Sequence, residues 1–212
     1  MKLSRNNLFI LHVFLGFLLK EFPFLSTYFG LLIILLGTYY ILGKSDPSEK
    51  YPLLFSAYMV GIEVPLRMTG ASLFWEFGKY AVIYFLLLGI IRRSKQIQLY
   101  PPILFYFIFL LPAIVFLPLH SLDLWRQQVA FNLSGPATLM LSAIYFFNRI
   151  MNKELISQAL FYMVLPIVTM TIYNLYTMPD LSTYQFSPYS DFDTSGGYGP
   201  NQVSTIFGLG IV

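Results

Sequence analysis

Cysteine is absent from the chain, which excludes disulfides and thiolate metal sites. Charge is scarce as well: 11% of residues are Asp, Glu, Lys or Arg, while 57% are hydrophobic and 18% aromatic. With a mean hydropathy of +0.66, that balance does not describe a soluble domain of this size. Histidine is limited to His12 and His120, which fall in different segments without a ligand-spaced partner, so no metal site is expected. The net charge of +3 does not imply a nucleic-acid partner, because the basic residues are divided among separate loops and form no single basic face. No alternating barrel pattern and no internal repeat is evident.

What remains is a series of apolar runs separated by short charged clusters. Spans are expected at about Leu8 to Leu19, Phe22 to Leu42, Tyr51 to Leu66, Phe74 to Ile91, Pro101 to Leu119, Val129 to Phe147 and Leu155 to Tyr176, with an eighth starting at Thr205. Backbone polar groups must be paired in lipid, so each span should be a helix. The expected fold class is all-α, a polytopic integral membrane helical bundle of about seven spans plus the start of an eighth. Crossing a bilayer takes roughly 20 residues, and Thr205 to Val212 supplies barely two turns. Residues 1–212 therefore read as a single transmembrane domain forming the N-terminal part of a longer protein. The first run follows Lys2 and Arg5 as a signal peptide would, but no small-x-small cleavage site follows Leu19. The Lys20-Glu21-Phe22-Pro23 turn leads directly into the next run, as in a short helical hairpin.

Loop charge sets the expected orientation. Alternation from a cytoplasmic N-terminus puts Lys2, Arg5, Lys44, Lys50, Arg92, Arg93, Lys95, Arg149 and Lys153 inside, nine of the thirteen basic residues. Lys20, Arg67 and Arg126 fall outside, and Lys79 lies in the membrane. The stretch 178–200 becomes an extracytoplasmic loop, so any chemistry is expected on that face. Tyr51, Trp75, Tyr80, Tyr100, Trp125 and Tyr176 lie near span ends, where interfacial anchoring explains them more simply than sugar stacking.

Ionisable groups near apolar spans are costly unless paired or hydrated. Glu63 and Arg67 are four apart, glutamate first, the favourable order for an intrahelical pair. They read equally as a satisfied pair or as a phosphate-binding fork, with Glu63 holding the Arg67 guanidinium and Pro65 bending the helix to expose both. Glu76 and Lys79, three apart, invite the same two readings, with structural pairing favoured. Arg126, in the outer loop from His120, could meet an anionic substrate, though an interfacial arginine is the simpler reading. Asp180, Asp191 and Asp193 fit a solvated loop. Gly196, Gly197 and Gly199 permit close backbone approach, and Pro200 suits a first helical turn, which would aim a helix N-terminus at the outer surface.

The run Ser195-Gly196-Gly197-Tyr198-Gly199-Pro200-Asn201-Gln202-Val203-Ser204 resembles the Gly-Pro-Asn turn of the O-antigen ligase and polymerase superfamily. Glu63-Val64-Pro65-Leu66-Arg67-Met68, Glu76-Phe77-Gly78-Lys79-Tyr80 and Phe131-Asn132-Leu133-Ser134-Gly135-Pro136 are similar to segments of its Bacteroidetes-type members. The resemblance implies a multi-pass glycosyltransferase of the bacterial inner membrane, acting in surface polysaccharide biosynthesis without a metal or other cofactor. It would move a glycan from an undecaprenyl diphosphate carrier to a glycan or lipid acceptor on the periplasmic face. It further implies arginines on the donor diphosphate and a histidine general base in a large periplasmic loop. Arg67 is the leading donor-binding candidate, with Glu63, Lys79 and Arg126 beside it and Gly199, Asn201 and Gln202 shaping the turn. The expected base lies beyond Val212, so the chain alone should be inactive. An arginine expected just before the turn is replaced by Asp193-Thr194. The competing reading is a polytopic transporter or flippase of lipid-linked oligosaccharide, which would favour broken helices and charges near the midplane. A purely structural membrane subunit is a third.

Overall fold

An apolar chain can bury its backbone polar groups by closing them within helices, and every regular element among the described residues is helical. The computed structural model describes residues 4–43, 50–71, 73–74, 76–92, 100–116, 121–180 and 191–211. Lys2, Lys44, Trp75, Arg93, Lys95, Leu119, His120 and Val212 lie outside the described residues. In chain order the helices are α1 (Arg5–Glu21), α2 (Leu25–Gly43), α3 (Tyr51–Met68), α4 (Phe77–Arg92), α5 (Pro101–Leu110), α6 (Pro112–Val115), α7 (Leu122–Phe146), α8 (Lys153–Thr177) and α9 (Pro200–Leu209). One 3₁₀ turn, Asp193–Ser195, precedes α9. Among the described residues three helices, α2, α7 and α8, are long and apolar enough to cross a membrane.

Caps explain where the helices depart from the expected spans. Ser4 accepts the Asn7 N–H at 3.2 Å, so α1 starts at Arg5 and runs 17 residues, longer than its apolar stretch. Ser121 does the same for Leu124 at 3.2 Å, with Asp123 in the first turn beside the positive end of the helix dipole. Helix α7 therefore begins at Leu122, and Trp125 and Arg126 are helical residues instead of loop residues. The fifth run is not one helix. Pro112 lacks the N–H that a continuous helix would use there, and α5 gives way at Leu111 to the short α6. The tight turn after Glu21 joins two helices that then part: α1 packs chiefly along α8, α2 against α3 and α4.

Contacts between helix ends show that successive long helices alternate in direction. Tyr40 of α2 meets Tyr51 at the start of α3, and Pro52 of α3 packs at Gly89 near the end of α4. Helices α1 and α8 run parallel, since Arg5 lies over the Phe161 ring and Phe17 meets Tyr176. Helices α4 and α7 are also parallel, joined by Ser134 with Glu76 at one end and by Tyr145 with Gly89 at the other. Arg5, Lys50, Arg92, Arg149 and Lys153 consequently share one end of the bundle, where Arg92 donates to the Ile41 carbonyl. Lys20, Arg67, Lys79 and Arg126 belong to the other.

Helix α3 is the hub. Ile33, Met59, Ile62, Leu66, Phe77 and Phe85 form one core between α2, α3 and α4. Val64 and Met68 join Ile167, Met170 and Val203 in a second core shared with α8 and α9. His12, 4% exposed, is part of this framework. Its Nδ1 lies 2.8 Å from the Leu8 carbonyl, which can only accept, so Nδ1 carries the proton and Nε2 accepts from the Tyr58 hydroxyl at 2.9 Å. Tyr58→Phe should lower stability by about 1–3 kcal/mol, because a buried acceptor loses its donor. Unfolding of the two proteins in the same detergent checks this, and equal stabilities would refute it.

Candidate functional site

Helix α3 stops in a way that sets Arg67 at its last turn. The Gly70 N–H bonds the Arg67 carbonyl and the Ala71 N–H bonds the Leu66 carbonyl, both at 3.0 Å, closing a Schellman turn on Gly70 with φ of 70°. The helix runs through Pro65, which is buried, and one turn of helix brings Arg67 back to Glu63. Arg67 Nη2 donates to Glu63 Oε1 at 2.6 Å, with the side chains 21% and 25% exposed, so the pair is partly shielded yet reachable. A second donor, Arg67 Nη1, reaches the Tyr198 hydroxyl at 3.2 Å. The Glu63 carboxyl lies against Gly78 in the first turn of α4, beside the positive end of that helix.

The second ion pair stands on the α7 side of the same turn. Glu76 is 5% exposed, and its Oε2 accepts from Lys79 Nζ at 2.6 Å and from Ser134 Oγ at 3.0 Å. The Lys79 ammonium also sits 5.7 Å from the centre of the Phe131 ring. A buried carboxylate is tolerable here because both its cation and a neutral donor satisfy it.

The glycine-rich turn is built against the ends of α3 and α8. Asn174 Nδ2 donates to the Thr194 carbonyl at 3.3 Å, and the Tyr173 hydroxyl donates to the Met68 carbonyl at 3.1 Å. Gly196, with φ of 67°, lies under Met68, Asn174 and Thr177. The buried Ser195 hydroxyl contacts the carbonyls of Asp191, Phe192 and Tyr198, at 3.0, 3.0 and 2.5 Å, which folds the turn on itself. Pro200 is the first residue of α9, as its missing N–H and preset φ favour, and Val203 anchors the helix in the second core. The Gln202 side-chain amide folds back onto Gly199, while Asn201 is exposed and its carbonyl receives the Ser204 and Thr205 hydroxyls. Asp191 Oδ1 accepts the Asp193 N–H at 2.8 Å, a local turn bond.

These contacts bring Glu63, Arg67 and Tyr198 into direct connection, with Glu76 and Lys79 across the first turn of α4 and Gly199, Asn201 and Gln202 following Tyr198 along the chain. Compared with known proteins, the chain matches no family model, no curated protein and no solved structure.

Arg126 stands outside this group: it meets Asp123 at 3.7 Å on its own helix, both side chains highly exposed. No cluster of three or more His, Asp or Glu side chains occurs among the described residues. Tyr198 and Ser134 were visible in the sequence only as parts of motifs. Their partners lie 131 and 58 residues away, and no local spacing reports such a bond. Tyr198 stands between two glycines of a polar loop and Ser134 precedes Gly135 in an apolar run, and neither setting singles out its hydroxyl.

Proposed function

We propose that the protein is a multi-pass inner-membrane glycosyltransferase of the O-antigen ligase and polymerase type, moving a glycan from an undecaprenyl diphosphate carrier to an acceptor at the extracytoplasmic face. The observation that carries this reading is the hydrogen bond from Arg67 to Tyr198, which ties a glutamate-held guanidinium to the glycine turn. That bond joins two of the four sequence segments that resemble the superfamily; Glu63 against Gly78 and Ser134 on Glu76 join the other two, although the four are scattered over 142 positions between Glu63 and Ser204. In this reading seven runs cross the bilayer, and the end rich in Arg5, Lys50, Arg92, Arg149 and Lys153 faces the cytoplasm, as the positive-inside rule requires. Arg67 engages the donor, whose charge a preorganised guanidinium stabilises in a water-poor site.

The test is Arg67→Ala at the chromosomal copy of the gene in a cell building lipid-linked surface glycan. Glycan transfer should fall about a hundredfold, and Arg67→Lys should recover only part of it, because an ammonium lacks the planar fork. Full transfer by Arg67→Ala in a stably folded protein would remove the basis of the reading. The break between α5 and α6 favours the transporter alternative, since transporters use interrupted helices. That alternative predicts movement of the lipid-linked oligosaccharide across the bilayer with no new glycosidic bond.

A further inference from the structure

The Arg67 guanidinium is held from two separate parts of the chain. Its Nη2 donates to Glu63 at 2.6 Å, one turn back on α3, and its Nη1 donates to the Tyr198 hydroxyl oxygen at 3.2 Å, in the glycine turn. A contact at one terminal nitrogen leaves a long side chain able to swing about it. A second, at the other terminal nitrogen, sets the plane of the guanidinium and with it the direction of the fork that recognises phosphate oxygens. Glu63 belongs to the same helix and moves with Arg67. Tyr198 is 131 positions away and refers the fork to a different segment.

That segment is itself placed by the end of α8. The Tyr173 hydroxyl donates at 3.1 Å to the carbonyl of Met68, one residue beyond Arg67, and the adjacent Asn174 donates through Nδ2 at 3.3 Å to the carbonyl of Thr194, four residues before Tyr198. Both ends of the bond between Arg67 and Tyr198 are thus referred to a single turn of α8. Between Thr194 and Tyr198 the chain turns through Gly196 and Gly197, with φ of 67° and 77°. The Ser195 hydroxyl, 2.5 Å from the Tyr198 carbonyl, and the Gly197 N–H, 2.9 Å from the Phe192 carbonyl, close that turn. The Tyr198 ring packs against the core of Val64, Met68, Ile167, Met170 and Val203, so its hydroxyl is presented from a supported ring.

We propose that Tyr198 is a positioning residue, which acts on the donor diphosphate through Arg67 by fixing the plane of its guanidinium; the inference rests on the transferase reading. Tyr198→Phe removes the hydroxyl and keeps the ring in its packing. When the full protein in lipid nanodiscs is titrated with undecaprenyl diphosphate, this variant should bind about tenfold more weakly, the loss expected when a charged group gives up one hydrogen bond. Its unfolding midpoint should not change. In a protein that also carries Arg67→Ala, the same substitution should have no further effect on binding, because the group through which it acts is gone. Glycan transfer in cells, measured across the same four proteins, should show the same non-additivity. A hydroxyl that only supported the turn would weaken binding equally with and without Arg67. Unchanged binding by Tyr198→Phe, losses that add to those of Arg67→Ala, a lowered midpoint, or no binding of undecaprenyl diphosphate to the unaltered protein would overturn the proposal. The transferase reading fails on a different result, undiminished glycan transfer by Arg67→Ala.

Discussion

Gly61→Ala should cost about 3 kcal/mol, the upper part of the range for overpacking a tight contact, and lower the midpoint of thermal unfolding by roughly 5–10 °C. A Cβ at Gly61 would fall on the backbone carbonyl oxygen of Met163 and crowd the Pro166 ring. Nothing flexible lies there to give way. The neighbour is the backbone of α8, which α1 and α3 hold from two sides, so the whole helix would have to move. Small residues at such crossings let two helices approach closely enough for dispersion contacts to hold them together, which matters most where lipid leaves little hydrophobic drive between helices. Gly208→Ala is the control, because an added Cβ meets nothing within 4 Å there. It should unfold at or slightly above the unaltered midpoint, as alanine is the better helix former. Equal midpoints for the two variants would show that α3 and α8 do not pack as described.

Gly78→Ala should do the reverse, leaving stability within about 1 kcal/mol while reducing glycan transfer about a hundredfold, as far as Arg67→Ala does. Here the added Cβ would overlap the Glu63 carboxyl, the far end of a flexible side chain. The helices can keep their places if Glu63 swings aside. Its movement breaks the 2.6 Å pair and frees the guanidinium from the geometry that also reaches Tyr198. Positioning is what a site of this kind supplies, and a shift of about 1 Å in a substrate-binding group is enough for such a loss. Measuring transfer and the unfolding midpoint on the same preparation separates the two glycines: Gly61 should affect the midpoint, Gly78 the transfer. Full transfer by Gly78→Ala would show that the Glu63 contact does not position Arg67.

The sequence by itself determined the helical fold class, the alternation of charge between the two ends, the pairing of Glu63 with Arg67 and of Glu76 with Lys79, and the start of α9 at Pro200. Each of these rests on a local rule: a period, a spacing of three or four residues along a helix, or the missing N–H of proline. Local rules also explain the departures, since the Ser121 cap that begins α7 early and the break at Pro112 are polar or backbone effects that hydropathy does not register. Tertiary structure alone decided that Arg126 stays apart, that α1 leaves α2 for α8, and that Tyr198 and Ser134 complete the two ion-pair sites. Those outcomes depend on which helices pack together, and packing is set by the shape and close approach of surfaces distant in sequence. Gly61 and Gly78 illustrate the difference: both are glycines in apolar helices, but one lies against a rigid backbone and the other against a charged side chain.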